Sequence, residues 1–259
     1  MKPHIDVFYK GDDPNKIGDK IICTEFPENL NKLGYTFVNK SKNPFLKYNP
    51  FVVDTDEKVT EINFHDLSTD FVDKSCYITA RSQLVYNHLH EHQKVPILRS
   101  PKFYIYENNE KENIILLHIQ GKGITIPNWI IKHVYSKYNK NFRIIQIVPP
   151  NGIYLKEKHW PNIEHKEFDF FNQPWEEVAE IASKSMMFIG IDSWVAHMAN
   201  AYTSHVNLLV PTHYVKAFKN QSRPWGTGAT LGNIWFHPNN YYFNETDQSY
   251  GFTNSYLTI

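Results

Sequence analysis

An aspartate, a serine and a histidine stand close together in Asp192-Ser193-Trp194-Val195-Ala196-His197, directly after the apolar run Met186-Met187-Phe188-Ile189-Gly190-Ile191. The apolar run reads as a buried strand, and Val195, Met198 and Ala199 then recur at helical spacing. A strand, a tight turn and a helix are therefore expected. Asp192 or Ser193 can cap that helix, because either side chain can accept a hydrogen bond from a free N–H of the first turn. His197 follows Ser193 by one helical turn and shares its face. Open α/β sheets bind anions where a strand's carboxyl end feeds a helix, so this turn would suit a diphosphate. The bland alternative is a capping pair followed by a buried core histidine.

Gln120-Gly121-Lys122-Gly123 directly follows a second apolar run, Ile114 to Ile119, and would face the same sheet edge as Asp192. Lys122 is either a phosphate contact or a solvated loop lysine. The glycines do not complete a P-loop and no GxGxxG opens a helix, which argues against an ATPase or a simple dehydrogenase. In His88-Leu89-His90-Glu91-His92 two histidines share a helical face, but no third ligand follows at a zinc-like spacing. Asp54-Thr55-Asp56, after Phe51-Val52-Val53, resembles the carboxylate pair that holds a divalent cation in metal-dependent sugar transferases; two carboxylates at a strand end are more often solvated turn residues, and the cation reading stands as the runner-up.

The elements that must position these groups fall into two patterned halves. The first opens with a strand at Ile5 to Tyr9, followed by a polar loop. Asp19 is expected to cap a helix carrying Ile22, Phe26, Leu30 and Leu33, with Pro27 kinking it and Gly34 ending it. Strands are predicted at Tyr35 to Val38, Phe51 to Val53, Ile62 to Phe64 and Cys76 to Thr79, then a helix from Ser82 to His92 and the strand Val95 to Leu98. Glu107 to Asn113 is wholly polar and marks a boundary, giving domains 1–108 and 109–259. Beyond it, strands at 114–119, 143–148, 186–191 and 206–210 alternate with helices at 128–138, 175–184 and 193–202. That alternation implies βαβ units and a parallel sheet. After Pro211 the sequence is aromatic and irregular.

With 259 residues, of which 41% are hydrophobic and 15% aromatic, the chain can bury a sizeable core. Lys plus Arg and Asp plus Glu both number 27, so no net field draws it to nucleic acid or anionic lipid. No apolar run approaches the roughly 20 residues that span a bilayer, and no signal-peptide core is present. Cys23 and Cys76 have no metal-like spacing and suit reduced thiols, so a cytoplasmic location is expected.

Taken together, the chain resembles the family 9 glycosyltransferases, the heptosyltransferase-like branch of the GT-B architecture. Ile17-Gly18-Asp19 before an apolar helix resembles the family's N-terminal Gly-Asp motif. Ile114 to Lys122 is similar to the start of the donor-binding half, where a lysine meets the donor phosphate. Asp192 to His197 resembles the family's Asp-Ser/Thr-Gly-x-x-His element, with Trp194 in place of the glycine, and Val206 to Thr212 follows as in the family. The resemblance implies two Rossmann-like halves facing a cleft, and an inverting, metal-independent transfer of a sugar from a nucleotide-diphosphate sugar to a hydroxyl acceptor. It makes Asp19 the catalytic base, with Gly18 beside it on the acceptor side. The donor contacts are Gln120, Lys122, Asp192, Ser193, His197 and Thr212. No cofactor or metal is implied. The acceptor is a surface-glycan sugar, of lipopolysaccharide or capsule, which could bring the protein to the inner face of a membrane. Three alternatives stand beside this: a viral enzyme acting on hydroxylated DNA bases, a metal-dependent transferase using Asp54 and Asp56, and a non-catalytic sugar- or nucleotide-binding protein.

Overall fold

The computed structural model describes residues 3–8, 17–63, 66–67, 85–91, 101–121, 124–156, 158, 160–191, 193–203, 205–211, 240–243 and 250–252. They form two compact units that divide between Ile105 and Tyr106. The strands predicted at Cys76 to Thr79 and Val95 to Leu98 lie outside these residues, as do Lys122, Asp192, Thr212 and His92.

The first unit is built on a four-stranded parallel sheet in the order β3-β2-β1-β4. Its strands are β1 (His4–Phe8), β2 (Thr36–Val38), β3 (Val52–Val53) and β4 (Val59–Asn63). Alternation along β1 sends Ile5 and Val7 into an apolar core with Phe26, Leu30, Phe37, Leu46 and Ile62. Asp6 points the other way and is still buried, its carboxylate accepting from Ser41 N at 2.6 Å and Ser41 Oγ at 3.3 Å.

The single kinked helix expected after Asp19 is instead three pieces: α1 (Ile17–Ile22), a 3-10 turn (Cys23–Glu25) and α2 (Phe26–Lys32). Pro27 sits in the first turn of α2, where its missing N–H costs nothing, so the break falls ahead of the proline. Asp19 is not a cap either, because the helix has already begun at Ile17. Gly34 does end α2, with φ 84°. Of the helix predicted at 82–92, residues 85–88 are helical and Val85 and Tyr86 are core.

The second unit holds a seven-stranded sheet in the order β13-β12-β11-β10-β5-β8-β9, parallel except for β13. The strands are β5 (Glu112–His118), β8 (Arg143–Val148), β9 (Ile163–Glu167), β10 (Ser185–Gly190), β11 (Val206–Pro211), β12 (Asn240–Phe243) and β13 (Tyr250–Phe252). A short hairpin, β6 (Gln120–Gly121) with β7 (Ile124–Thr125), stands where a plain loop was expected. The helices are α3 (Asn128–Tyr138), α4 (Glu176–Lys184) and α5 (Trp194–Asn200). The chain runs from β5 outward through β8 to β9, then returns past β5 to β10 and on through β11 to β12. This is the doubly wound order, and its direction reverses between β5 and β10.

Three expectations are corrected here. Glu112 and Asn113, in the polar stretch taken as a linker, already belong to β5, because an exposed strand start tolerates polar side chains. The segment after Pro211 is not uniformly irregular, since β12 and β13 extend the sheet there. Ile163-Glu164-His165-Lys166-Glu167 forms β9, which was not foreseen. It is one of the sheet's two edge strands, and charged side chains at an edge are what keep such a strand from pairing with another chain.

No helix among the described residues is long and apolar enough to cross a membrane.

Candidate functional site

The reversal between β5 and β10 brings two strand ends into close contact. Gly190 stands opposite His118, and Ile191 N donates to His118 O at 2.9 Å. A Cβ placed on Gly190 would lie 2.1 Å from that same carbonyl oxygen, so only glycine permits this approach. The crevice beside such a reversal is where open α/β sheets hold ligands.

From Ile191 the chain turns into α5. Ser193 is the cap, extended at φ −160° and ψ 170°, with its Oγ accepting from Ala196 N at 3.4 Å. Helical geometry returns the chain so that His197 N donates to Ser193 O at 3.2 Å. His197 is buried, and burial pushes its imidazole down to about 4. It is therefore neutral at pH 7, able to donate one hydrogen bond but unable to supply a charge. His118 is buried alongside the same sheet edge and likewise held near 4 by burial. Its Nδ1 lies 3.0 Å from Ile147 O; a carbonyl only accepts, so Nδ1 carries the proton and Nε2 keeps a lone pair.

Two glutamines fix the loop that leaves β8. Gln120 Oε1 accepts from Ile153 N at 2.6 Å, and Gln146 Nε2 donates to Ile153 O at 2.8 Å. Both backbone groups of Ile153 are thus satisfied from neighbouring strands. Ahead of it, Asn151 has φ 59°, and a Cβ on Gly152 would meet Pro149 O at 2.7 Å, so the turn from Pro149 is tight. Trp194, where the motif this segment resembles has glycine, lies against Phe168 and Phe170 from the loop after β9, with ring centroids 5.5 and 5.6 Å away.

Of the residues predicted to hold a donor, Gln120, Ser193 and His197 are described, all in the second unit, and Gln120 is engaged with the loop after β8. Sequence reasoning did not single out His118, Gln146, Phe168 or Phe170. A polar residue closing or interrupting an apolar strand was the available signal for the first two; the aromatic residues carried none.

In the first unit, Asp19 is half-buried in the first turn of α1, next to Gly18. The following residue is tied down by Asn43 Nδ2, which donates to Lys20 O at 2.8 Å, while Asn43 Oδ1 caps the turn Pro44–Leu46 by accepting from Phe45 N at 3.1 Å. At the carboxyl ends of β1 and β4, Phe8, Asn63, Asp66, Leu67 and His88 line an open pocket of about 540 Å³. Asp54 and Asp56 are exposed, His88 and His90 are exposed, and no cluster of three metal-binding side chains occurs among the described residues. Cys23 is buried in the core of the first unit.

No family model and no curated protein matches the sequence. Solved structures match the fold. A family 9 glycosyl transferase from Veillonella parvula DSM 2008 aligns over 95% of this chain and 87% of its own, at a TM-score of 0.59 and 12% identity. E. coli ADP-heptose LPS heptosyltransferase II aligns over 89% of each chain, at 0.53 and 8% identity. The iron-containing dodecameric glycosyltransferase TibC from enterotoxigenic E. coli aligns over 80% of this chain and 58% of its own, at 0.53 and 13% identity. The chain thus has a GT-B-like fold of two Rossmann-like units, similar to that of family 9 glycosyltransferases.

Proposed function

We propose that this protein is an inverting, metal-independent glycosyltransferase that moves a sugar from a nucleotide-diphosphate sugar to a hydroxyl of a surface glycan. The observation that carries this reading is the match between motif and topology. The element resembling Asp-Ser/Thr-Gly-x-x-His leaves β10 at the doubly wound reversal, in a chain whose fold is that of family 9 transferases. The neighbour named for ADP-heptose and lipopolysaccharide makes an ADP-activated heptose the first donor to try.

In this mechanism Asp19 accepts the proton of an acceptor hydroxyl as its oxygen attacks the anomeric carbon. The bond from that carbon to the diphosphate oxygen breaks on the opposite face, and the electron pair leaves with the nucleoside diphosphate. Lys122 supplies the positive charge that this leaving group needs. Ser193 and the neutral imidazole of His197 supply hydrogen bonds. Burial favours the neutral imidazole at His197, which leaves Lys122 as the permanently charged group among these residues.

The test is release of nucleoside diphosphate and appearance of glycosylated acceptor from a panel of sugar nucleotides, with and without EDTA. Transfer that survives EDTA supports the reading. Transfer abolished by EDTA would favour the cation reading of Asp54 and Asp56.

A further inference from the structure

Three exposed large apolar side chains, Ile153, Tyr154 and Phe171, sit on the two loops that leave the carboxyl ends of β8 and β9, with Phe171 60% exposed. Phe170 stands beside Phe171 with its ring perpendicular and 5.8 Å away, and it meets the Trp194 indole at 5.6 Å and 62°. Buried Phe168 meets the same indole at 5.5 Å. Phe170 and Trp194 both keep part of their surface open to solvent.

The loop carrying these phenylalanines is held by its own hydrogen bonds. Asp169 Oδ1 accepts from Phe171 N at 3.0 Å, Asp169 N donates to Gln173 Oε1 at 2.6 Å, and Asp169 O accepts from Asn172 N and Gln173 N at 3.1 and 2.8 Å. A bonded loop that keeps aromatic faces in water is a surface already ordered for a flat ligand, so covering it costs little conformational entropy. Trp194 directly follows Ser193 and so ties this surface to the crevice at the β5–β10 reversal.

Resting on the donor reading above, we propose that Trp194 and Phe170, with Phe171 at the rim, form a stacking platform for the nucleobase of the donor. A nucleobase fits because every base offers a π-face, and stacking on an aromatic side chain needs no particular hydrogen-bond pattern. A sugar ring has no π-face and would pack on these rings only through the C–H groups of one side, an arrangement that the sugar-nucleotide arm of the test separates. Trp194 is then the residue by which this chain, lacking the glycine at that position, grips the base end of its donor.

The test is calorimetric titration of the intact chain with ADP, UDP, sugar nucleotides carrying the same bases, and inorganic pyrophosphate, in the wild type and in Trp194→Leu, Trp194→Phe and Phe170→Leu. For whichever nucleoside diphosphate binds, each leucine variant weakens affinity roughly fivefold to a hundredfold, leaves pyrophosphate within about twofold, and Trp194→Phe recovers most of the loss. Phe170→Leu lies on the loop surface and keeps the test open if Trp194→Leu does not fold. Equal losses for pyrophosphate and nucleoside diphosphate would mean that the rings only support the site, and overturn the platform. Unchanged nucleoside diphosphate affinity in every variant would overturn it too, as would a loss confined to sugar-bearing donors, which would put the sugar there. If neither pyrophosphate nor any nucleoside diphosphate binds the wild type, the donor reading itself falls, and the platform with it.

Discussion

Gly190 and His118 face each other across the reversal of the second sheet, so closely that a Cβ on the glycine would lie 2.1 Å from the histidine's carbonyl oxygen. That contact brings the ends of β10 and β5 to one edge, where a ligand could touch both.

Gly190→Ala should therefore destabilise the protein by about 1–3 kcal/mol, since the obstacle is backbone that cannot swing aside. Urea unfolding measures this. An unchanged midpoint would mean that the two strand ends are less tightly joined than described.

His197 is either a donor contact or a core side chain, and one variant separates the two. A hydrogen bond to a charged group is worth roughly 1.5–3 kcal/mol, so His197→Ala should weaken nucleoside diphosphate binding about ten- to a hundredfold. A variant that loses stability but binds donor normally in its folded fraction would assign His197 to the core alone.

Acid should affect the two units in opposite directions. His118 and His197 are each held near 4 by burial, against 6.5 when free, so the unfolded chain takes up their protons more readily than the folded one. Their contribution is intact above pH 6.5 and is lost as pH falls toward 4, by up to about 3 kcal/mol each. Asp6 runs the other way: burial raises its carboxyl from 3.8 to about 6, so its contribution is present below 3.8 and lost as pH rises through 6. Between pH 7 and 4.5, corrected for intrinsic rates, amide exchange should become faster in β5 and β10 and slower in β1. Parallel changes in both sheets would contradict the assignment.

How much of this was legible in the sequence follows from what each residue packs against. Helix α3 at 128–138 and strand β8 at 143–148 fall where the sequence put them, because α3 buries one apolar stripe and β8 is an apolar run buried on both faces. The turn at Ser193 was legible for the same reason, as the period changes there. Strand β9 was not, because an edge strand with one open face has no need of apolar alternation. The break before Pro27 was misread as a kink, since apolar spacing alone does not distinguish one helix from two joined by a 3-10 turn. The ring group formed by Phe168 and Phe170 with Trp194 joins residues more than 20 positions apart, and no local pattern announces it.

Asp19→Asn should lower turnover by about 10²- to 10⁴-fold, the usual contribution of a general base, while leaving donor affinity nearly unchanged. Steady-state rates and donor titration on the same preparation check this. Turnover that tolerates Asp19→Asn but vanishes with EDTA would overturn the base assignment in favour of the cation reading.

The most direct test of the central claim is hydrogen exchange on the intact chain with and without a sugar nucleotide, beginning with ADP-heptose and followed through a panel of other donors. The account predicts that a binding donor slows exchange in 118–121, 149–155, 168–171, 190–191 and 193–198, the segments gathered at the carboxyl edge of the second sheet. Binding by no member of the panel, or protection confined to the first unit, would contradict it.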